Sequence, residues 1–269
     1  MTKASKAAAE RPGPEIRVED VSLRYETRGG TVQALADCSL TVAGGAFACL
    51  VGPSGCGKST LLDIVAGLAP LQDGRIGIDR GPDGQPARLA VVFQKPALFP
   101  WKTVIGNIVF GLDAQGIPRA EARARARQYI GLVGLDGFET AYPHELSGGM
   151  AQRVGIARAL ALQPDVLLMD EPFAAVDAQT RALLQEELRR ITAHSCMTVL
   201  FVTHDVSEAV YLGDTVFVMS RRPGRIIRTV SPDTEQRDRS SGAFARITSE
   251  IFDLLAHPGA GGASHGERA

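Results

Sequence analysis

Apolar residues recur along this chain with two periods, and the changes of period predict its elements. Residues 16–25 and 32–42 are rich in Val, Leu and Ile, and Arg28-Gly29-Gly30 between them predicts two antiparallel strands joined by a turn. Gly44-Gly45 turns the chain into 47–51, a short apolar run that reads as a buried strand, and 61–68 then repeats apolar residues at helical spacing. Residues 74–79 and 89–93 read as strands around the polar turn Gly81-Pro82-Asp83-Gly84. From residue 103 to about 162 the pattern is helical almost throughout, with helices predicted over 104–112, 119–135 and 148–162. An apolar strand over 166–169, a helix over 178–191 and a last apolar strand over 197–202 follow. Residues 224–230 and 244–255 give one more strand and helix.

This alternation predicts an α/β fold with an N-terminal antiparallel β subdomain and an inserted helical subdomain over about 103–162. At 269 residues the chain can bury a sizeable core. Residues 1–14, rich in Ala, Lys, Glu and Pro without periodicity, read as a flexible leader, 15–256 as one domain, and the Gly/Ala/Ser-rich 257–269 as a flexible tail. Lys and Arg number 29 against 30 Asp and Glu, and the net charge of -1 argues against a nucleic-acid binder held by electrostatics. Cys38, Cys49, Cys56 and Cys196 have no C-x-x-C spacing, which suits a reducing cytosol. No apolar run approaches the roughly 18 residues of a membrane span, and the first ten residues lack the apolar core of a secretory signal.

Between the strand at 47–51 and the helix that follows lies Gly52-Pro53-Ser54-Gly55-Cys56-Gly57-Lys58-Ser59-Thr60. It fits G-x-x-x-x-G-K-[ST], in which glycines let backbone N–H groups close around phosphates, Lys58 adds a point charge and Ser59 offers a hydroxyl to Mg²⁺. Tyr25, just ahead of the first turn, reads equally as an ordinary strand residue or as a platform for a base. Gln94 ends the strand at 89–93. In 95–103, Pro96 and Pro100 remove backbone donors, so the segment is predicted to be an ordered loop. Its Leu98, Phe99 and Trp101 serve either as core plugs or as a docking surface.

Within the helical region Arg119, Arg123 and Arg127 recur every four residues, a stripe that reads as a solvated face. Ser147 either simply caps the helix at 148–162 or, with Gly148 and Gly149, opens a helix N-terminus to an anion. The strand at 166–169 runs into Asp170-Glu171-Pro172. A carboxylate at a buried strand end is unfavourable unless it meets a cation or donors, so Asp170 fits beside Mg²⁺ and Glu171 can orient or deprotonate a water. Asp177 is placed to cap the helix at 178–191. His204 follows the strand at 197–202, at the end where ligands gather in parallel sheets.

These elements, in this order and approximate spacing, resemble an ABC-type ATPase subunit: Gly52 to Thr60, Gln94, the signature Leu146 to Arg153, Met169 to Pro172, Asp177 and His204. Leu98-Phe99-Pro100-Trp101, Pro172-Phe173-Ala174-Ala175-Val176-Asp177 and Ser220-Arg221-Arg222-Pro223-Gly224-Arg225 are similar to the importers for nitrate, sulfonate and taurine. The resemblance implies a P-loop NTPase core with a mostly parallel sheet. It assigns Tyr25 to the adenine, Gly52, Pro53, Ser54, Gly55, Cys56, Gly57, Lys58, Ser59 and Thr60 to the phosphates of ATP, and Ser59, Gln94 and Asp170 to Mg²⁺. It further makes Glu171 the general base, puts His204 at the γ-phosphate, counts Asp177 among the nucleotide-binding residues, and has Ser147, Gly148 and Gly149 of one subunit close over ATP held by another.

The implied partners are a second ATPase subunit in a head-to-tail dimer, a membrane permease and, indirectly, an extracytoplasmic solute-binding protein, at the cytoplasmic face of the membrane. Met150 in place of the usual glutamine and Ala175-Val176-Asp177 in place of Ala-Leu-Asp depart from the family pattern without removing a charged or phosphate-facing group. Two other classes stay in view. A soluble ABC ATPase of repair, translation or cofactor assembly would usually add a second module, a coiled coil or zinc-site cysteines, and a P-loop kinase would leave the signature and His204 without a use. An ABC subunit for another solute class or for an exporter is the nearer alternative.

Overall fold

The structure, a computed structural model, describes residues 13–256 apart from 28 and 82. In chain order it contains β1 (Ile16–Thr27), β2 (Gly30–Val42), β3 (Phe47–Val51), the helix Lys58–Val65, β4 (Asp73–Ile78), β5 (Leu89–Val92) and the helices Val104–Ala114 and Arg119–Leu132. A 3₁₀ turn at Pro143–Glu145, the helix Gly148–Ala161, β6 (Val166–Asp170), the helix Ala178–Ala193 and β7 (Thr198–Thr203) follow. The helix Val206–Leu212, β8 (Thr215–Met219), β9 (Ile226–Val230) and the helix Gly242–Ala256 complete it.

The chain divides into two compact units. The first holds Ile16–Val42, Ala46–Gly77 and the chain from Leu200 onward. Its antiparallel sheet has the order β2-β1-β4, and the long hairpin pairs Ile16 with Val42 and Tyr25 with Val32. In the same unit β3 runs parallel to β8, Val51 opposite Val218, while β9 pairs antiparallel with β8. All five residues of β3 are buried, as expected where both faces of a parallel strand are covered.

The second unit holds Ala43–Gly45 and Ile78–Val199, together with residues 13–15. Here β5 runs parallel to β6, Leu89 opposite Val166 and Val92 opposite Met169. The helices Val104–Ala114, Arg119–Leu132 and Gly148–Ala161 pack on one another, and Gly148–Ala161 also packs on β5, so the helical lobe belongs to the same unit as those strands. Arg119, Arg123 and Arg127 are exposed, while Ala122, Ala126 and Ile130 make the buried face of their helix.

The fold is α/β, with parallel pairing in both units and a separate antiparallel sheet. Two elements escaped the sequence pattern. β8 is a buried strand absent from the predicted elements, although its five residues are as apolar as the run at 47–51. The helix Val206–Leu212 follows directly on His204, and its start signal is Asp205, whose carboxylate accepts from the N–H of Ser207 (2.8 Å) and Glu208 (3.1 Å).

Residues 1–12 of the expected leader and the whole expected tail lie outside the described residues. Gly13 and Pro14 are buried: Thr198 Oγ1 donates to the Pro14 carbonyl at 2.6 Å, and a Cβ on Gly13 would overlap the Cys196 carbonyl. No helix among the described residues is long and apolar enough to cross a membrane. Cys38, Cys49 and Cys56 are buried free thiols, and Cys196 is free and half-buried.

Asp165 illustrates how the second unit fixes the start of β6. Its carboxylate accepts from the Arg88 backbone N–H (2.8 Å), Nε (3.1 Å) and Nη2 (2.8 Å). Burial pushes its pKa up, but the hydrogen bonds and charge of Arg88 outweigh this and hold it below the usual value. A carboxyl whose pKa is depressed by folding stabilises above its unfolded value near 4 and loses that contribution as pH falls through the folded value. Asp165→Asn is therefore expected to destabilise by about 1–2 kcal/mol at pH 7 in urea unfolding, the figure held down by solvent around the half-exposed Arg88. The gap between variant and parent narrows below pH 4; a gap independent of pH would show that the ion pair contributes nothing.

Candidate functional site

In the first unit, β3 delivers the chain into Gly52 and the glycine loop closes onto the helix Lys58–Val65. Gly57 precedes that helix at φ 112°, where a Cβ would lie 2.7 Å from Leu35 Cδ2 and 3.1 Å from the Ala34 carbonyl, so only glycine fits. Lys58 is buried, and its Nζ donates to the carbonyls of Gly52 (2.8 Å) and Pro53 (3.1 Å). Ser54, Gly55 and Ser59 are exposed. Tyr25, 46% exposed on β1, donates its hydroxyl to Thr60 Oγ1 at 3.4 Å, which places it beside the first turn of the loop helix. His204 is exposed at the end of β7, between the buried Thr203 and the capping Asp205.

In the second unit, the register of β5 and β6 makes both strands end together, so that Gln94 and the Asp170-Glu171 pair emerge side by side. Gln94 Nε2 donates to Glu171 Oε2 at 3.4 Å, a long and therefore weak hydrogen bond. Asp170 ends β6 half-buried. Glu171 has φ 43°, the left-handed region that residues with a side chain rarely occupy. The turn after it is tight: Ala174 N–H donates to the Glu171 carbonyl, Val176 N–H to the Phe173 carbonyl, and both Phe173 and Val176 are buried. Asp177 caps the next helix by accepting from Thr180 N–H at 3.0 Å, and that hydrogen bond, helped by Arg153, holds its carboxyl below the usual range.

Ser147 likewise caps the helix Gly148–Ala161, accepting from Met150 N–H at 3.2 Å. A Cβ on Gly149 would come within 2.7 Å of the Ala175 carbonyl, so the turn after Glu171 dictates a glycine in the signature. A Cβ on Gly148 would meet nothing within 4 Å, which leaves the helix N-terminus open at that point.

The same helix grips the chain around Gln94. Buried Gln152 donates to the Phe93 carbonyl (3.0 Å), Gly155 lies against Pro96, and Arg158 donates to the carbonyls of Pro96 and Ala97 (both 3.0 Å). Asn107, fully buried, ties the next stretch. Its Oδ1 accepts from Phe99 N–H (2.8 Å), and its Nδ2 donates to the carbonyls of Lys102 and Thr103 (both 3.0 Å). The loop's apolar side chains divide between the two expectations: Leu98 and Phe99 are half-buried, whereas Trp101 is 71% exposed. Phe99 stacks edge-on with Phe110 at 4.8 Å, and Lys102 lies over the Phe110 ring.

Gln152, Asn107 and Arg158 were not anticipated from the sequence. The signal available was a polar residue in a buried register of an otherwise apolar helix face. Among the described residues no cluster of three or more His, Cys, Asp or Glu could hold a metal ion on its own.

The ABC transporter family model matches residues 35–174. Curated relatives align over nearly the whole chain. An uncharacterised ABC transporter ATP-binding protein of Methanocaldococcus jannaschii is 49% identical over 90% of this chain and 91% of its own. A taurine import ATP-binding protein of Rhizobium johnstonii is 49% identical over 89% and 96%, and an aliphatic sulfonates import ATP-binding protein of Bacillus thuringiensis is 41% identical over 91% and 97%. Among solved structures, a dimeric bacterial ABC transporter cassette superposes with a TM-score of 0.74 at 30% identity, covering 81% of this chain and all but 1% of its own. A post-hydrolysis state of that cassette, bound to ADP and Pi, superposes equally well at 29% identity, with the same coverage.

The left-handed backbone at Glu171 carries a strain of about 1–3 kcal/mol that glycine would not feel. Glu171→Gly is expected to unfold at a higher temperature than Glu171→Ala, the reverse of their usual order, with a difference of about 1 kcal/mol. Glu171→Ala unfolding at the higher temperature would show that the backbone there is unstrained.

Proposed function

The chain belongs to the ABC transporter family, and from that membership we propose that it is the ATP-hydrolysing subunit of an importer for a small sulfonate-type solute such as taurine, working through a separate membrane permease. The observation that carries the catalytic part is the meeting of Gln94 and Glu171 at the ends of two parallel strands in register. The solute class is supported by the names of the relatives, since the match covers 96% and 97% of their lengths.

The phosphates of ATP lie in the loop from Gly52 to Thr60, bound by backbone N–H groups and Lys58, with Tyr25 stacked on the adenine and His204 at the γ-phosphate. Glu171 takes a proton from the attacking water, and Gln94 orients that carboxylate. Ser59, Gln94 and Asp170 would hold Mg²⁺. Their hydroxyl, amide and carboxylate oxygens are hard donors, the kind this ion takes. When bound, the ion supplies charge neutralisation on the phosphates.

The open helix N-terminus at Ser147, Gly148 and Gly149, with Asp177 in the neighbouring turn, serves the nucleotide of a second ATPase subunit. The head-to-tail dimer this requires is supported by the likeness to a dimeric cassette. The exposed Trp101, on a loop pinned by Asn107 and the helix Gly148–Ala161, receives the permease. The protein then works peripherally on the cytoplasmic face of the membrane, indirectly served by an extracytoplasmic solute-binding protein. Nucleic acid has no part in the reading.

Glu171→Gln is expected to lower ATP hydrolysis by about 10²–10⁴-fold while ATP binding persists and the chain elutes as an ATP-dependent dimer. Hydrolysis at the parent rate would remove Glu171 from its role. In vesicles carrying the permease, a sulfonate presented on its binding protein is expected to stimulate the parent's ATPase; stimulation by another solute class alone would overturn the substrate assignment.

A further inference from the structure

The turn Ser220-Arg221-Arg222-Pro223-Gly224-Arg225 takes no part in the chemistry above, yet the strand register places it against the phosphate loop. Because Val51 lies opposite Val218, β3 runs into Gly52 where β8 runs into Met219 and Ser220. The approach is close enough that a Cβ on Gly52 would lie 2.9 Å from the Met219 carbonyl.

The turn is held rigidly from below. Gly224 N–H donates to the Ala34 carbonyl (2.9 Å), and its own carbonyl accepts from Ala36 N–H (3.0 Å) and the Cys38 thiol (3.0 Å). Arg225 pairs with Asp37 at 3.5 Å. Ser220 Oγ closes the turn on itself, accepting from Arg225 N–H at 3.0 Å and contacting the Pro223 carbonyl at 3.0 Å. From this platform two contacts reach the phosphate loop. A Cβ on Gly224 would fall 2.3 Å from the Cys56 carbonyl, so the turn's backbone lies directly against the loop. The exposed Arg222 donates through Nε (3.2 Å) and Nη2 (2.9 Å) to the Gly55 carbonyl.

We propose that Arg222 is a positioning residue for nucleotide binding, which holds the Gly55–Cys56 peptide in the phosphate-ready arrangement and adds a cation to the rim of the loop. That peptide is pinned at both ends, its carbonyl by Arg222 and its N–H by the Pro53 carbonyl at 3.3 Å. Gly55 has φ 73° and no Cβ, so no side chain of its own restrains that peptide. A loop held before binding loses less conformational freedom when the phosphates arrive, and a guanidinium beside it raises the local attraction for a polyanion.

The proposal rests on the ATP site described above, and the test separates the two. ATP affinity, the ATPase KM and kcat, and the unfolding midpoint without nucleotide are measured for the full-length parent and for Arg222→Ala, Arg222→Lys and Arg222→Gln. Arg222→Ala is expected to weaken ATP binding and raise KM about five- to tenfold, with kcat within about twofold of the parent. Its nucleotide-free midpoint stays unchanged, because the side chain is exposed. Arg222→Lys restores most of the affinity and Arg222→Gln a smaller part, since lysine keeps both charge and donor and glutamine the donor alone. Parent-like ATP affinity in Arg222→Ala overturns the proposal alone, as does a lowered midpoint with KM unaltered, which marks a merely structural residue. A parent that binds no ATP overturns the site and the proposal together.

Discussion

Two parallel strand pairs in strict register decide where chemistry can occur in this chain. β3 and β6 are buried along nearly their whole length, so a polar side chain can appear only beyond the last buried residue. Val51 opposite Val218 and Val92 opposite Met169 therefore do more than close two ladders. The first pairing brings the phosphate loop and the Arg222 turn to one edge, and the second brings Gln94 to the two carboxylates. A parallel pairing slipped by one residue would draw a polar strand end into the buried ladder or push an apolar residue out of it, so hydrophobic burial itself protects the geometry of the polar ends.

Beyond the strand ends, backbone crowding replaces register as the organising constraint. Gly57 is squeezed by Leu35 and Ala34, Gly149 by Ala175, and Gly224 by Cys56. At Gly149 and Gly224 a carbonyl of a neighbouring segment occupies the space a side chain would need, and at Gly57 the Leu35 side chain does, with the Ala34 carbonyl behind it. Glu171 is the opposite case, a residue kept in left-handed backbone although glycine would relax there. Such strain persists only where the surroundings over-determine it, and the buried Phe173 and Val176 in the turn that follows supply that restraint. The helix Gly148–Ala161 adds a mechanical link. Its N-terminus carries the signature, and its Gln152 and Arg158 hold the backbone on both sides of Gln94. One helix thus carries both Ser147 at its N-terminus and the side chains that bind the carbonyls of Phe93, Pro96 and Ala97, bonds that would be lost if the helix slid along that backbone.

Features that a local pattern encodes were legible in the sequence. The glycine turn between β3 and its helix, the carboxylates ending an apolar strand, and the caps Ser147 and Asp177 each follow from residue type and immediate neighbours, and the caps bond as their types suggest. What stayed hidden depends on how a loop folds back or on partners distant along the chain. Nothing near Asn107 announces that it organises the Phe99–Thr103 stretch, because the carbonyls it binds gain meaning only once the loop folds back. Arg222 lies 167 residues from the carbonyl it holds. β8 is the exception, a local signal passed over: Gly213-Asp214 before it and Ser220 after it bracket a five-residue run of β-branched and aromatic residues as short as the one at 47–51.

The proposed phosphate loop contains a cysteine, and its environment explains how that would be compatible with a polyanion. A thiolate at position 56 would place negative charge where the proposal puts the phosphates. Burial pushes the Cys56 thiol up, and although Lys58 and Arg222 pull the other way, burial prevails. Cys38, bonded to the Gly224 carbonyl, is likewise driven up by burial, to about 11. Both thiols are thus neutral near pH 7, small apolar packing beneath the loop. The charges that remain at the cradle are the ammonium of Lys58, held by the Gly52 and Pro53 carbonyls, and the guanidinium of Arg222 on Gly55. The loop's character is therefore set as much by what burial neutralises as by the cations it presents.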